Sequence, residues 1–304
     1  MNDAASVKAD LFRALIERRM LLSSGVPGVY GRGPSLCELV DRLERLIDGY
    51  ARRDGATKVS FPAVLPREVL RRVGYMESFP HLCGSVHAFT GERHRHASLV
   101  ERVGEGGDWT EFLAQTDVVL TPAACYPLYP TLTGRLPAGG ALFDLSGQCF
   151  RHEPSDDPAR MQAFQLRENV RAGAAVDVLG WREAWIERGQ ALLEALGLEA
   201  RLEVANDPFF GRGGALMKAS QRALELKFEL VVPIWSDESP TAVASFNYHQ
   251  DKFGQAFDIY AHDGSRAHTG CLGFGIDRLA LALLRTHGVD LERWPPSVRA
   301  RLSA

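Results

Sequence analysis

The chain has 304 residues, 45% of them hydrophobic and 24% charged, with a formal net charge of −3. This length and balance suit a folded protein that buries a sizeable core, and they exclude wholesale disorder. No apolar run approaches the ~18 residues of a membrane helix, the first residues lack a signal-peptide apolar core, and the near-neutral charge argues against a dedicated nucleic-acid binder.

Residues 7–22 read as an amphipathic helix, and the Gly- and Pro-rich stretch SSGVPGVYGRGP (23–34) as a loop. Ser35 with Glu38 forms a capping-box pattern. Leu36, Leu39, Val40, Leu43, Leu46, Ile47 and Tyr50 then recur at helical spacing, which predicts a helix over 35–53 ending near Asp54-Gly55. The run KVSFPAVLP reads as a short strand closed by Pro66. Residues 80–116 carry little pattern and read as a solvated polar loop or strand. His81, His87, His94 and His96 fall there at spacings that metal sites also use, but no other donor supports a metal.

From Thr116 strands dominate: TDVVLTP, ALFDLSGQCFRHE and MQAFQLRENVRAG are β-branched or alternating runs bounded by Gly and Pro. A helix is expected at 181–196, stopped by Gly197, then a strand in RLEVAND and a helix in ALMKASQRALE. LKFELVVPIW, TAVASFNYHQ and AFDIYAHD read as strands, and 276–286 as a final helix with Ile276, Leu279, Ala280 and Leu283 on one face. Helices first and then mostly consecutive strands favour the α+β class with an antiparallel β-sheet.

The five cysteines, Cys37, Cys83, Cys125, Cys149 and Cys271, are odd in number and widely spaced, with no C-x-x-C. A disulfide scaffold is not expected, and a reducing, cytoplasmic location is. Cys37 falls in the helical apolar pattern and is expected to be buried. Cys83 and Cys149 read as core packing.

Chemistry concentrates in two segments. In FRHE (150–153), Arg151 and Glu153 are two apart and would share one face of a strand. A loop follows, Arg160 opens the return, and Phe164 lies four residues later. One hairpin thus offers two guanidiniums for phosphates, a carboxylate for an amine and an aromatic face for a base. In GCLGFGIDRLALALL (270–284) a Gly-rich strand runs into a helix with Arg278 at its start. That joint fits a nucleotide site, although it lacks the order of a P-loop.

Together the segments resemble motifs 2 and 3 of class II aminoacyl-tRNA synthetases: Arg-x-Glu, a loop and Arg-x-x-x-Phe as Arg151, Glu153, Arg160 and Phe164, then Gly-x-Gly-x-Asp-Arg ending at Arg278. The helix at 35–53 and the strand ending at Pro66 resemble motif 1, which builds the dimer interface in that family, so a homodimer is implied. The resemblance implies a class II synthetase-like antiparallel sheet flanked by helices. It also implies roles: Arg151 on the α-phosphate of ATP, Glu153 on the adenine edge, Arg160 on the terminal phosphates, and Phe164 with Arg278 around the adenine. Met161, Lys227 and the run Ala242, Val243, Ala244, Ser245 would also line the ATP site, with Mg²⁺ bridging the phosphates. The run TAVASFN holds no acidic residue where seryl enzymes commonly have a Mg²⁺-binding carboxylate beside that strand.

Over most of its length the chain is similar to the catalytic core of the atypical, archaeal-type seryl-tRNA synthetases, without an N-terminal tRNA-binding domain. A single catalytic domain over 1–304 is expected. Cys125, Glu168 and Cys271 fall where those enzymes bind Zn²⁺, and the same trio marks their relatives, the amino acid:[carrier protein] ligases. Two thiolates and a carboxylate leave a fourth tetrahedral position for a substrate amine, which also places Glu168 at the amino acid. These ligases, which lack the tRNA-binding domain, are the better match. The resemblance therefore implies activation of glycine or alanine by ATP, then transfer to the phosphopantetheine thiol of a carrier protein, with no tRNA and no membrane. The alternatives are a truncated seryl-tRNA synthetase-like enzyme and a non-catalytic ATP- or amino-acid-binding paralogue; retention of Arg151, Arg160 and Arg278 speaks against the latter. Carrier proteins are acidic, so the basic segment 209–227, with Arg212, Lys218, Arg222 and Lys227, marks 209–225 as a carrier-docking helical insertion.

Overall fold

Seven strands form the sheet that carries the site: β1 (Thr57–Val59), β2 (Ala141–Phe150), β3 (Ala163–Gly173), β4 (Arg201–Val204), β5 (Lys227–Val232), β6 (Thr241–Tyr248) and β7 (His268–Gly275). Their spatial order is β4-β5-β6-β7-β3-β2-β1. All neighbours are antiparallel except β1 and β2 at one edge. The computed structural model describes residues 3–211 and 214–303.

Four helices frame this sheet: α1 (Pro34–Arg53), α2 (Ala175–Ala195), α3 (Gly214–Ala223) and α4 (Ile276–His287). Leu230, Ala244, Phe246, Leu272 and Phe274 project from the strands into one core with Trp185 and Leu193 of α2, Leu39 and Leu43 of α1 and Leu279 and Leu283 of α4. Each such side chain contributes about 1.5–3 kcal/mol when fully buried. A second core lies around Val170 and Ala172 of β3, with Tyr129, Phe253 and Phe257. The period of two in β6 and β7 is therefore a choice of face: one set packs on helices and the other remains for the site.

The α+β reading holds, with local corrections. The first helix spans Asp3–Glu17 and does not reach residue 22. Arg19 turns left-handed at φ 54°, and Leu21–Ser23 becomes a strand paired with Tyr30–Arg32. Helix α1 has no capping box: Gly33 is its N-cap and Pro34 opens it. A side chain at position 33 would bring a Cβ within 1.7 Å of the Arg19 carbonyl oxygen, so the close approach demands glycine. Cys37 is exposed, one position off the buried stripe of Leu36, Leu39, Val40 and Leu43. KVSFPAVLP splits into β1 and a strand Val64–Pro66 in a separate three-stranded sheet.

Residues 80–116 include a strand, Ser85–Phe89, and a helix, Arg93–Gly104, that buries no residue. With no buried stripe, that helix left little periodic signal. AFDIYAHD is mostly not a strand: Lys252–Phe257 is a helix that buries Phe253 and Phe257 at i, i+4. Asp258, left-handed at φ 53°, ends it and leaves a two-residue strand, Ile259–Tyr260. The chain also closes with a helix at Pro296–Ser303 that the sequence reading omitted.

Candidate active site

Register places the chemistry. In one row across the sheet, Glu229 of β5 faces Ser245 of β6, which faces Gly273 of β7, which faces Glu168 of β3. Two residues along, and so on the same face, Lys227, Asn247 and Cys271 form the next row. These rows floor a cavity of about 620 Å³. Arg151 and Arg278 stand over it from the ends of β2 and β7, and α3 closes its far side with Leu216, Met217 and Gln221.

At one end the donor atoms of Cys125, Glu168 and Cys271 all lie within 4.8 Å of one another, and all three residues are buried. Among the described residues they are the one gathered set of His, Cys, Asp and Glu donors; the four histidines of 80–96 are not part of any. Glu168 accepts the Cys125 backbone N–H at 2.6 Å. The Cys271 sulfur receives the Asn247 amide at 3.4 Å and lies 3.5 Å from His249 Nε2. The Cys125 thiol donates to the Cys271 sulfur, which holds Cys271 well below an ordinary thiol and Cys125 well above it. Burial, with the neighbouring Cys271 sulfur, pushes the Glu168 carboxyl up to about 8. Buried donors that are held protonated for want of a counter-charge fit a divalent cation. The donor set of two thiols and one carboxylate suits tetrahedral zinc with one position left for substrate.

At the other end, Arg151 donates Nε–H to the Pro122 carbonyl at 3.0 Å, and its guanidinium lies 5.4 Å from the centre of the Phe164 ring. Strand alternation does not align Arg151 with Glu153, because β2 stops at Phe150. Backbone bonds from Arg151 N–H to Gln162 and from His152 N–H to Leu82 hold the segment instead. Arg278 donates to the carbonyls of Ala159 (2.7 Å) and Ala242 (3.2 Å), so it ties motif 3 to the motif 2 loop and to β6. Arg160 lies 3.5 Å from Glu153, but its side chain is 60% exposed and does not line the cavity. Every other expected site residue lines it: Cys125, Arg151, Glu153, Met161, Phe164, Glu168, Lys227, Ala242, Val243, Ala244, Ser245, Cys271 and Arg278.

No family model matches the chain. It is 45% identical over 299 residues to amino acid–[acyl-carrier-protein] ligase 1 of Bradyrhizobium diazoefficiens, covering 98% of this chain and 91% of that protein. It is 48% identical over 278 residues to ligase 2 of the same organism, covering 90% and 83%. The chain belongs to the amino acid–[acyl-carrier-protein] ligase family. Type-2 serine–tRNA ligase of Methanopyrus kandleri is more distant, at 29% identity, and this family member spans only 57% of its length. The fold is that of class II synthetases: it matches M. kandleri SerRS, solved in complex with A. aeolicus tRNASec, at a TM-score of 0.83 and 23% identity, over 97% of this chain and 60% of that one.

Several cavity residues of this family member were not singled out in the sequence. Asp207 lies between Lys227 (2.7 Å) and Gln221 of α3 (2.9 Å). Burial would raise its carboxyl, but the Lys227 ammonium and the Gln221 amide hold it down to about 2. Lys227 also pairs with Glu229 at 3.0 Å, and its side chain is 12% exposed. Lys227 is thus a cavity residue and not part of a basic outer face. Behind the motifs, Asp277 accepts from Arg32 (2.9 Å) and from the Gln165 N–H (2.7 Å). Arg167 reaches Glu44 (2.6 Å) and Asp48 (2.8 Å) on α1 and Asp144 on β2. Arg167 thus ties motif 2 to α1, and Asp277 ties motif 3 to Arg32 and to the motif 2 strand. Each partner lies far off in sequence, and no local spacing announces them.

Proposed function

We propose that this protein activates a small amino acid with ATP and then transfers it to the phosphopantetheine thiol of a carrier protein. The observation that carries the reading is a single cavity with a thiol–carboxylate–thiol trio at one end and paired guanidiniums at the other. In that cavity an amino acid would lie with its amine toward the trio and its carboxylate toward the α-phosphate.

In the first step a carboxylate oxygen attacks the α-phosphorus in line. The bond to the bridging oxygen breaks, and pyrophosphate leaves with the electron pair. Arg151 neutralises the α-phosphate, Glu153 receives the adenine edge, and Phe164 and Arg278 hold the ring between them, beside Met161 and the Ala242–Ser245 strand. Arg160, outside the cavity, swings in on the terminal phosphates. Positioning and charge neutralisation supply the rate, and no base is required. In the second step the carrier thiol attacks the acyl carbon and gives its proton to solvent, the acyl C–O bond to the phosphate breaks, and AMP leaves with the electron pair.

Cys125, Glu168 and Cys271 would hold zinc, which fixes a neutral amine when bound. Tyr126 and Phe253 beside that trio favour glycine or alanine over a larger amino acid. Mg²⁺ accompanies ATP. TAVASFN has no acid, but Glu229 on the neighbouring strand sits opposite Ser245 on the cavity floor and fits that ion, which takes one or two carboxylates plus phosphate oxygens. The assay that tests the reading is ATP–pyrophosphate exchange against single amino acids. Stimulation by glycine or alanine is expected, and no exchange with any amino acid would refute it.

The acceptor in this reading is a protein, not tRNA. Helix α3 borders the cavity and exposes Leu216 and Met217, followed by Leu224, beside Arg222 and the half-buried Lys218. Arg212 lies outside the described residues. An acidic carrier can dock on this element, about 209–225, and pass its arm inward. Reversing the charge at Lys218 and Arg222 should slow carrier aminoacylation at least ~10-fold and leave adenylate formation intact. Unchanged transfer would remove α3 from this role. The reading also takes the chain as one catalytic domain in a cytoplasmic homodimer, joined through α1 and the sheet edge at β1. No helix among the described residues is long and apolar enough to cross a membrane.

A further inference from the structure

A second cavity, of about 420 Å³, opens between the C-terminal half of α1 and the helix Pro296–Ser303. It shares no lining residue with the first. Arg45, Gly49, Arg52 and Arg53 are spaced to share one face of α1, and Arg301 reaches in from the other helix. No carboxylate is among the lining residues.

Arginine clusters on a helix usually face solvent, each with a nearby acid. Here Arg52 has Asp48 at 2.9 Å, but Lys58 and Arg167 share that carboxylate. Among the described residues, no carboxylate lies within 4.0 Å of Arg45, Arg53 or Arg301. Arg53 and Arg301 approach the Tyr50 ring to 5.6 and 5.9 Å, and Arg301 donates to the Tyr50 hydroxyl. The Arg301 Nε–H is buried with no partner. At Gly49 an added Cβ would meet no atom within 4 Å, so the cavity floor is open.

Arg45, Arg52 and Arg53 are exposed and line one cavity with Arg301, and guanidiniums cannot shed their charge. Four arginines around one cavity suit an anion with several acceptor oxygens, and the planar fork of arginine matches phosphate oxygens two at a time. A lone carboxylate offers too few acceptors for four guanidiniums, whereas a diphosphate carries both the oxygens and the charge.

We propose that this cavity is a second anion site that takes a diphosphate group, free or borne on a nucleotide. It does not rest on the activity proposed above. The test is calorimetric titration of the full chain with inorganic pyrophosphate and, separately, with ADP. Pyrophosphate should bind at a site that survives Arg151→Ala, and Arg45→Gln/Arg53→Gln should weaken that site at least tenfold. Gly49→Leu grows a side chain into the open floor without removing a charge, and it should block the second site with the thermal midpoint unchanged or raised. A second site seen with ADP as well assigns the nucleotide-borne group; one seen with pyrophosphate alone assigns the free anion. The proposal is overturned if no pyrophosphate binding survives Arg151→Ala, or if the binding that does survive is unaffected by Arg45→Gln/Arg53→Gln or Gly49→Leu.

Discussion

Cys125→Ala and Cys271→Ala should each remove bound zinc and amino-acid-dependent pyrophosphate exchange together. Both sulfurs are buried, and their donor atoms lie within 4.8 Å of each other and of the Glu168 carboxylate. Deleting one leaves two protein ligands, too few to close a tetrahedral site around a substrate amine. Metal affinity should fall by more than about 100-fold, the scale that loss of even an outer partner reaches. Metal analysis gives the zinc content, and the exchange assay gives the activity. A variant with full exchange and no metal would refute a zinc role. The two thiols also differ in surroundings. Cys271 is held by Asn247 and His249, whereas Cys125 sits on a loop whose own N–H is bound to Glu168. Loss of Cys125 should therefore also loosen Glu168, and Glu168→Gln should share the phenotype.

Arg151→Ala should lower the rate of adenylate formation by about 10²–10³-fold, the usual loss for one preorganised group on developing charge. Its Nε–H is already committed to the Pro122 carbonyl, so the remaining face of the guanidinium is pre-aimed at the cavity. Arg151→Lys should recover little, because an ammonium lacks the planar fork that bonds the Pro122 carbonyl on one edge and presents further donors to the cavity. Arg160→Ala should have the smaller effect, since that side chain is 60% exposed and outside the cavity lining. Single-turnover adenylate formation with a circular-dichroism melt separates lost chemistry from lost folding. Equal effects at Arg151 and Arg160 would argue against this division.

Much of the fold was legible because long elements repeat their signal. Helix α1 shows seven apolar positions at helical spacing, and β2, β3 and β6 alternate or run β-branched between Gly and Pro. What failed was short or lacked a buried face. The Arg93–Gly104 helix buries nothing, and the Lys252–Phe257 helix has too few turns to show a period. The false capping box shows a different limit. Ser35 and Glu38 have the right spacing, but the approach of Gly33 to the Arg19 carbonyl sets the N-cap two residues earlier. Such packing contacts are invisible in a local window.

By itself the sequence determined the class of site. Arg151, Phe164 and Arg278 stand in motifs whose spacing has chemical meaning, whereas Cys125, Glu168 and Cys271 stood out only through the resemblance to the zinc-binding seryl enzymes. Tertiary structure decided which of them share a space. Antiparallel register puts Glu229, Ser245, Gly273 and Glu168 in one row, although 105 residues separate Glu168 from Gly273 in the chain. The same folding took Lys227 out of the basic docking segment into an ion pair with Asp207 inside the cavity and left Arg160 outside it. It also gathered Arg301 onto the arginines of α1. Spacing along a chain reports which face a side chain takes on its own element, but it carries no information on the charge that element will meet across the core.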